Sequence, residues 1–250
     1  MNEIAVQTQN LTRRFGKFTA VDRLTITVSR GEIFGFLGAN GAGKTTAIRM
    51  LCGLLLPSEG EATVAGFDVY KSSEAIKKNI GYMSQRFSLY DDLTISENID
   101  FFGGVYGLSP ALIEERKEAL IDQVGLGDFR KRLTRDLPLG FKQRLALGSA
   151  MLHDPPIIFL DEPTSGVDPR ARREFWSIIN ELAAAGKTVF VTTHFMDEAE
   201  YCHRVSIMRA GKLIALDSPG KLKESYGRNN MQDVFVALVN DEDPRPEEQL

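Results

Sequence analysis

Residues 38–45 read GANGAGKT, a glycine-rich loop that ends in a lysine and a threonine. This spacing is typical of loops whose backbone N–H groups surround phosphate oxygens, ahead of a helix that offers its positive N-terminal end. We expect Lys44 to reach the β- and γ-phosphates of a nucleotide, Thr45 to ligate Mg²⁺, and Thr46 to contact the α-phosphate. The candidate phosphate-binding residues are Gly38, Asn40, Gly41, Ala42, Gly43, Lys44, Thr45 and Thr46. The alternative is an ordinary glycine-rich turn; an apolar run before the loop and helical spacing after it favour the phosphate loop.

A second candidate site lies at residues 157–162, where the apolar run IIFL is followed by Asp161 and Glu162. An apolar strand that ends in carboxylates is typical of Mg²⁺-dependent phosphoryl transfer. We expect Asp161 to hold Mg²⁺, mainly through water, and Glu162 to polarise the attacking water. The alternative is that the two carboxylates only solvate a strand end before Pro163. The phosphate loop upstream favours the catalytic interpretation.

Further motifs complete a family pattern. Residues 81–85 (GYMSQ) resemble the Q-loop, residues 165–168 (SGVD) the D-loop, and residues 191–194 (VTTH) the strand before the switch histidine. With the two sites above, these motifs resemble the nucleotide-binding domain of ATP-binding cassette (ABC) transporters over about residues 4–225. Residues 87–94, 101–108 and 193–200 are similar to ATPase subunits of bacterial drug-exporter systems, and most similar to one half of a tandem ATPase.

The resemblance implies roles for individual residues. Phe15 would stack on adenine, with a core position in an early strand as the alternative. Gln85 would ligate Mg²⁺ or a water through its amide oxygen, and His194 would contact the γ-phosphate and Glu162. The implied catalytic set is Glu162, His194, Lys44 and Gln85; the implied metal ligands are Thr45, Gln85 and Asp161. Asp168 of the D-loop joins the implied nucleotide-binding set.

The chain departs from the family pattern at its signature motif, usually close to LSGGQ, where residues 137–141 read LPLGF. In the family this motif faces the partner domain's ATP, so Leu139 and Gly140 are candidate nucleotide contacts. Pro138 offers neither a hydroxyl nor an N–H, and Leu139 adds bulk where the backbone should approach a phosphate. Losing a charge-assisted hydrogen bond costs about 1.5–3 kcal/mol, so we expect weaker closure. A heterologous or tandem partner with a regular signature could complete this chain's own site.

The elements that must position these residues alternate between strands and helices. The pattern predicts strands at 4–8, 24–28, 32–37, 61–64, 79–84, 157–160, 188–192, 205–208 and 212–216. It predicts helices at 44–55, 170–184 and 196–202, and a mostly helical stretch at 93–123 with Thr94 or Ser96 as N-cap and a second helix after Ser109. We interpret residues 1–240 as a single nucleotide-binding domain, with a core at 1–85 and 154–225, a helical subdomain at 86–153 and a disordered acidic tail at 241–250. The resemblance implies an α/β fold: a P-loop NTPase (RecA-like) core, an N-terminal antiparallel β-subdomain and an inserted α-helical subdomain.

Composition limits the function classes. The 250 residues are 43% apolar and 26% charged, as in a globular domain, and the net charge of −4 argues against a general nucleic-acid binder. Two cysteines without metal-ligand spacing disfavour a disulfide framework and a zinc site. The longest apolar runs fall far short of the ~20 residues of a membrane span, and the N-terminus lacks the pattern of a signal peptide. We therefore expect a cytoplasmic protein that is soluble by itself.

The sequence thus predicts an ATPase, using ATP and Mg²⁺, that powers export of a drug-like or hydrophobic compound. The expected partners are integral membrane permease subunits and a second nucleotide-binding domain, with no nucleic acid. The expected location is peripheral, on the cytoplasmic face of the plasma membrane. The main alternative is a soluble, non-transport ABC ATPase that acts on ribosomes or DNA; a non-hydrolysing ATP-binding regulator is a third.

Overall fold

The computed structural model describes residues 3–85 and 88–241. The strands are β1 (Ile4–Phe15), β2 (Phe18–Ser29), β3 (Ile33–Leu37), β4 (Glu59–Val64), β5 (Phe67–Asp68), β6 (Ile80–Met83), β7 (Ile157–Asp161), β8 (Thr188–Thr193), β9 (Arg204–Arg209) and β10 (Lys212–Asp217). The helices are α1 (Lys44–Leu51), α2 (Ser73–Lys78), α3 (Ile95–Val105), α4 (Pro110–Gln123), α5 (Leu139–Met151), α6 (Pro169–Ala184), α7 (Pro219–Ser225) and α8 (Met231–Asp241). None of the helices in these ranges combines the length and apolarity needed to cross a membrane.

A six-stranded sheet in the order β10-β9-β3-β8-β7-β6 forms the centre of the chain. Its strands pair in parallel except for the antiparallel hairpin of β9 and β10. Strands β3, β7 and β8 are buried along their whole length, because a parallel sheet is covered on both faces. Side chains alternate between two cores: Phe159 and Phe190 pack on the side of α1, and Ile158 and Val189 pack with Trp176 of α6.

The carboxyl ends of the parallel strands bring the predicted site together. The phosphate loop follows β3, the acidic pair ends β7, and the switch histidine follows β8. Ligands of open α/β sheets bind beyond these strand ends. The strand order, with β8 between β3 and β7, therefore places three separate stretches of sequence around one point.

A second sheet, β2-β1-β4-β5, is antiparallel. Strands β1 and β2 are 12 residues long, well beyond the predicted 4–8 and 24–28. Their pairing shifts register between Thr8 and Leu11, and Asn10 has a left-handed φ of +49°. Such bulges interrupt the two-residue alternation on which the sequence prediction relied.

The stretch after β6 is helical, as predicted. Helix α3 begins at a capping box of Thr94 and Glu97, which selects Thr94 over Ser96 as N-cap, and Ser109 caps α4. The helices share a third core that includes Ile99, Leu120 and Leu145. Residues 86 and 87 lie outside the described residues, and the division into subdomains at 86 and 153 stays a prediction.

Several predicted boundaries were wrong. Helix α1 ends at Leu51 rather than at 55, because Gly53 adopts a left-handed φ of +66° and Leu54 N–H donates back to the Arg49 carbonyl. The predicted helix at 196–202 is a short 3₁₀ helix, Glu198–Tyr201. Helices α2, α7 and α8 were not predicted, although Ser218 before Pro219 is a typical helix start. The acidic tail predicted at 241–250 stays a prediction, because α8 ends at Asp241 and residues 242–250 lie outside the described residues.

Candidate active site

The glycine-rich loop runs from the end of β3 into α1, as its sequence predicted. Two of its glycines are needed for close backbone approach. Gly38 has φ +155°, and a Cβ there would lie 2.4 Å from the Met208 carbonyl oxygen. Gly43 has φ +105°, and a Cβ there would lie 2.4 Å from the Ala20 carbonyl oxygen. The loop is therefore packed against β9 and β2 in a way that larger residues would prevent.

Lys44 lies at the start of α1 with only 4% of its surface exposed. Its ammonium group donates to the carbonyl oxygens of Gly38 at 2.7 Å and Ala39 at 3.1 Å, and lies 3.7 Å from Glu162 Oε1. Burial lowers the pKa of Lys44, and the charges of Glu162 and Asp161 oppose that shift. A cation is thus held inside the loop, next to the carboxylate predicted to act as base.

Asp161 ends β7 and is 1% exposed. Its Oδ1 accepts hydrogen bonds from the hydroxyl groups of Thr45, at 2.9 Å, and Thr192, at 2.7 Å. Its Oδ2 is buried and has no hydrogen-bond partner among the described residues. A buried, unpaired carboxylate oxygen beside a threonine hydroxyl is an oxygen-donor arrangement that suits a hard divalent cation such as Mg²⁺.

Glu162 follows at once, and its φ of +50° is uncommon for a residue that carries a side chain. Its backbone N–H donates to the Thr192 hydroxyl at 2.8 Å. Gln85 Nε2 donates to Glu162 Oε2 at 3.1 Å, and His194 Nδ1 lies 3.3 Å from the same oxygen. With Lys44 on the other oxygen, all four residues of the predicted catalytic set meet at one carboxylate. The contact with Glu162 uses the amide nitrogen of Gln85, and its amide oxygen is of the kind that can ligate a metal or a water.

A cleft of about 310 Å³ opens above the loop. Its lining residues are Phe18, Ala20, Asn40, Gly41, Ala42, Gly43, Lys44, Thr45, Thr46, Gln85 and Glu162. Phe15 does not line it, but pairs in register with Phe18 at the tip of the β1–β2 hairpin. Phe15 is 47% exposed under the Arg13 guanidinium, so the alternative that it is a core residue was wrong.

Three predicted nucleotide contacts lie away from this cleft within the chain. Asp168 caps α6, and the backbone N–H groups of Ala171 and Arg170 hold the pKa of its carboxyl below the usual value. Leu139 and Gly140 begin α5, and a Cβ at Gly166 of the D-loop would lie 3.2 Å from Leu139 Cδ2. Leu139 remains 39% exposed. In one copy of the chain these residues belong to the outer surface rather than to the site.

Thr192 contacts both Asp161 and Glu162 but was not among the predicted site residues. The signal was a threonine near the end of the buried strand before His194, but its meaning depends on the register that sets Thr192 beside Asp161. Phe18 and Ala20 were also missed, because their position follows from how β2 folds over the loop.

Comparison with known proteins agrees with this geometry. The family model described as "ABC transporter" matches residues 21–165, more than half of the chain. The chain belongs to the ABC transporter family. Its fold, a P-loop NTPase core with an antiparallel sheet beside it, is that of an ABC ATPase domain, and the family and fold predictions are confirmed.

Named relatives narrow the position of this ABC ATPase domain within the family. It is 48% identical over 246 residues to the "Probable multidrug ABC transporter ATP-binding protein YbhF" of Escherichia coli (strain K12), covering 96% of this chain and 43% of that protein. It is 40% identical over 226 residues to the "Daunorubicin/doxorubicin resistance ATP-binding protein DrrA" of Streptomyces peucetius, covering 90% of this chain and 68% of that protein. The chain therefore spans less than half the length of the first of these relatives.

A solved structure described as "Structure of ATP binding subunit of ABC transporter" superimposes with a TM-score of 0.84 at 27% identity. The match covers 94% of this chain and all of that one. The ABC ATPase fold thus extends beyond the residues matched by the family model.

Proposed function

We propose that this ABC ATPase domain binds ATP in the 310 Å³ cleft and hydrolyses it to ADP and phosphate. The observation that carries the proposal is the convergence of Lys44, Gln85 and His194 on the Glu162 carboxylate, at 3.1–3.7 Å. A general base needs a carboxylate within reach of the attacking water, close to the groups that hold the phosphate. The support comes from four separate segments of sequence that meet at this point.

Some of these residues bind the phosphates, and others take part in the hydrolysis step. The loop N–H groups and the N-terminus of α1 hold the phosphates, and Lys44 exchanges its carbonyl partners for phosphate oxygens. Glu162 accepts a proton from the attacking water while Gln85 and His194 orient that water and the γ-phosphate. Phe18, 64% exposed at the edge of the cleft, and Phe15 beside it offer aromatic surface to the adenine ring.

Mg²⁺ fits the oxygen donors at the floor of the cleft. Thr45, Asp161 and the amide oxygen of Gln85 would hold it, directly or through water. The ion would supply charge stabilisation for the phosphoryl group as it transfers. Thr192 keeps Asp161 in place by donating to its Oδ1, while Oδ2 has no hydrogen-bond partner among the described residues.

We further propose that hydrolysis powers export of a drug-like or hydrophobic compound through a separate membrane permease, with this domain on the cytoplasmic face of the plasma membrane. The drug-resistance and multidrug names of the relatives support this reading over a role on ribosomes or DNA. A patch of exposed apolar side chains on the helical part supports a docking role. Tyr90 is 47%, Phe101 41% and Val105 64% exposed, and the Tyr90 and Phe101 rings lie 4.5 Å apart.

The remaining predicted contacts, Asp168, Leu139 and Gly140, are assigned to a second nucleotide-binding domain. Two domains would close head to tail on two ATP molecules, each presenting the start of α5 to the other's nucleotide. The partner is a second copy or a heterologous domain, including the other half of a tandem chain. Leu139 at the exposed start of α5 is in a position to meet such a partner.

Affinity purification of the tagged chain from detergent-solubilised membranes of its host tests the export proposal. We expect a multi-span membrane protein at fixed stoichiometry, lost in the double variant Tyr90→Ser/Phe101→Ser but retained in Val236→Ser, which alters an exposed residue of α8. The ATPase activity of the purified domain serves as a control for folding. Recovery of ribosomes or DNA instead, or retention of the membrane protein by the double variant, would contradict the proposed docking.

A further inference from the structure

We propose that Arg172 is a positioning residue for His194, acting through the ring of Phe195. The inference rests on the role given to His194 under the proposed function. Arg172 lies in α6, after the D-loop, and does not line the nucleotide cleft. Arg172 instead contacts the segment that carries the switch histidine.

The contact runs through two rings. The Arg172 guanidinium carbon lies 3.9 Å from the centroid of the Phe195 ring, a cation–π geometry. The Phe195 ring centroid lies 4.2 Å from that of His194, with the planes tilted by 35°. His194 Nδ1 is in turn 3.3 Å from Glu162 Oε2. The orientation of the imidazole toward the catalytic carboxylate therefore depends on the ring that Arg172 covers.

Arg172 is fixed by a carboxylate that is itself buried. Arg172 Nε lies 3.4 Å from Oε1 of Glu198, which is 0% exposed, and Arg172 Nη1 lies 3.6 Å from Asp197 Oδ2. The same Glu198 Oε1 accepts a hydrogen bond from the Thr164 hydroxyl, two residues after Glu162. Glu198 thus connects the segment after the base with the cation that holds the switch histidine.

Burying a carboxylate is costly unless it is paired, and apolar residues of similar volume are often no less stable. The ion pair of Glu198 and Arg172 supports the Phe195 ring that packs on His194, and the His194 side chain stays 31% exposed. The backbone at Phe195 is already fixed by its N–H bond to Thr193 Oγ1, so Arg172 adds control over the side chains. Neither Arg172 nor Glu198 is among the residues that line the cleft, so their loss should affect turnover rather than nucleotide affinity.

The test is a double-mutant cycle on ATP hydrolysis by the full chain at saturating ATP, with ADP affinity measured alongside. We expect Arg172→Met to lower kcat about tenfold with unchanged ADP affinity, and Arg172→Lys to recover part of the loss. In a His194→Ala background, Arg172→Met should have no further effect, because the group on which it acts is gone. Arg170→Met, on the same helix with its side chain 85% exposed, is the matched control and should leave kcat unchanged.

Arg172→Met leaves the buried Glu198 without its cation, so a variant that avoids this is included. Phe195→Leu removes the ring but keeps the ion pair, and we expect it to lower kcat as Arg172→Met does, again without effect in the His194→Ala background. Additive losses of kcat in the cycle, or a loss of ADP affinity in Phe195→Leu, would overturn the inference while leaving the role of His194 intact. Wild-type turnover in His194→Ala alone would instead overturn that role.

Discussion

The Thr192 hydroxyl donates to Asp161 Oδ1 at 2.7 Å across the paired strands β7 and β8. The same hydroxyl accepts the N–H of Glu162 at 2.8 Å. One side chain of a neighbouring strand therefore positions two carboxylates. Asp161 is the one that suits a metal ion, and Glu162 is the one proposed to accept a proton. This arrangement also leaves Asp161 Oδ2 free of hydrogen bonds within the described part of the chain.

Thr192→Val keeps the shape of this buried side chain and removes its hydroxyl. The Glu162 N–H would lose its acceptor, so we expect a loss of about 1–3 kcal/mol in the free energy of unfolding. The value of kcat should fall while ADP affinity is kept, since Thr192 does not line the cleft. Urea unfolding and steady-state kinetics measure the two effects, with Thr192→Ser as the control that keeps the hydroxyl. A Thr192→Val protein with unchanged kcat would show that Thr192 does not position Glu162.

The sequence predicts a site residue most readily when that residue belongs to a contiguous motif. The loop at 38–46 and the pair Asp161–Glu162 are contiguous patterns, so the sequence alone was enough to propose them. Thr192 became a site residue only through the order and register of β7 and β8, which no local pattern specifies. Phe18 lines the cleft, and its neighbour Phe15 does not, because of the fold of a hairpin tip.

The same contrast between local patterns and long-range pairing applies to the helices and strands. Fully apolar strands such as β7 were predicted to within a residue, because burial on both faces requires a continuous apolar run. The bulged strands β1 and β2 were predicted too short, since register shifts disrupt alternation. Helix α8 was missed even though Met231, Val234 and Leu238 occur at helical spacing and are buried.

Asp161→Asn tests the metal site. Asparagine keeps an oxygen that can accept from Thr45 and Thr192, but it removes the charge beside the predicted Mg²⁺. We expect the Mg²⁺ concentration for half-maximal turnover to rise about 10–100-fold, the range typical for groups that hold a metal through water. Titration of turnover with Mg²⁺ after chelation measures this. An unchanged Mg²⁺ dependence would remove Asp161 from the proposed metal site.

His153 predicts a pH dependence of stability. Its Nε2–H donates to the Ile80 carbonyl at 2.9 Å, and its Nδ1 is buried without a partner among the described residues. Burial lowers the pKa of His153 below 6.5, so the unfolded chain binds the proton more readily than the folded one. Stability should be full above about pH 6.5 and fall as the pH drops toward the folded-state pKa. Urea unfolding across pH 5–8 should show this dependence reduced in His153→Gln; an identical pH profile would contradict it.

Replacing Pro138 and Leu139 of the signature segment with the residues usual in the family should increase dimer formation and turnover. Pro138 precedes α5 without a side-chain hydrogen bond to cap it. Pro138→Ser/Leu139→Gly would add a capping hydroxyl, worth about 1 kcal/mol to the helix, and open the backbone toward a facing phosphate. We expect a larger ATP-dependent dimer fraction by light scattering in a Glu162→Gln background, and higher turnover in a mixed dimer. Pro138→Ala/Leu139→Ala, which lacks the hydroxyl, is the control, and no gain over it would show that the altered signature does not weaken closure.

Glu162 is the proposed general base of the ATP-hydrolysing site. Glu162→Gln keeps the size of the side chain and its contact with Gln85 but removes the proton acceptor. The direct measurement is ATP turnover and ATP affinity of this one variant against the unaltered chain. We expect turnover to fall at least about 100-fold while ATP affinity stays the same, since general-base catalysis contributes on that scale. Turnover of Glu162→Gln near the rate of the unaltered chain would contradict the assignment of Glu162 as the general base.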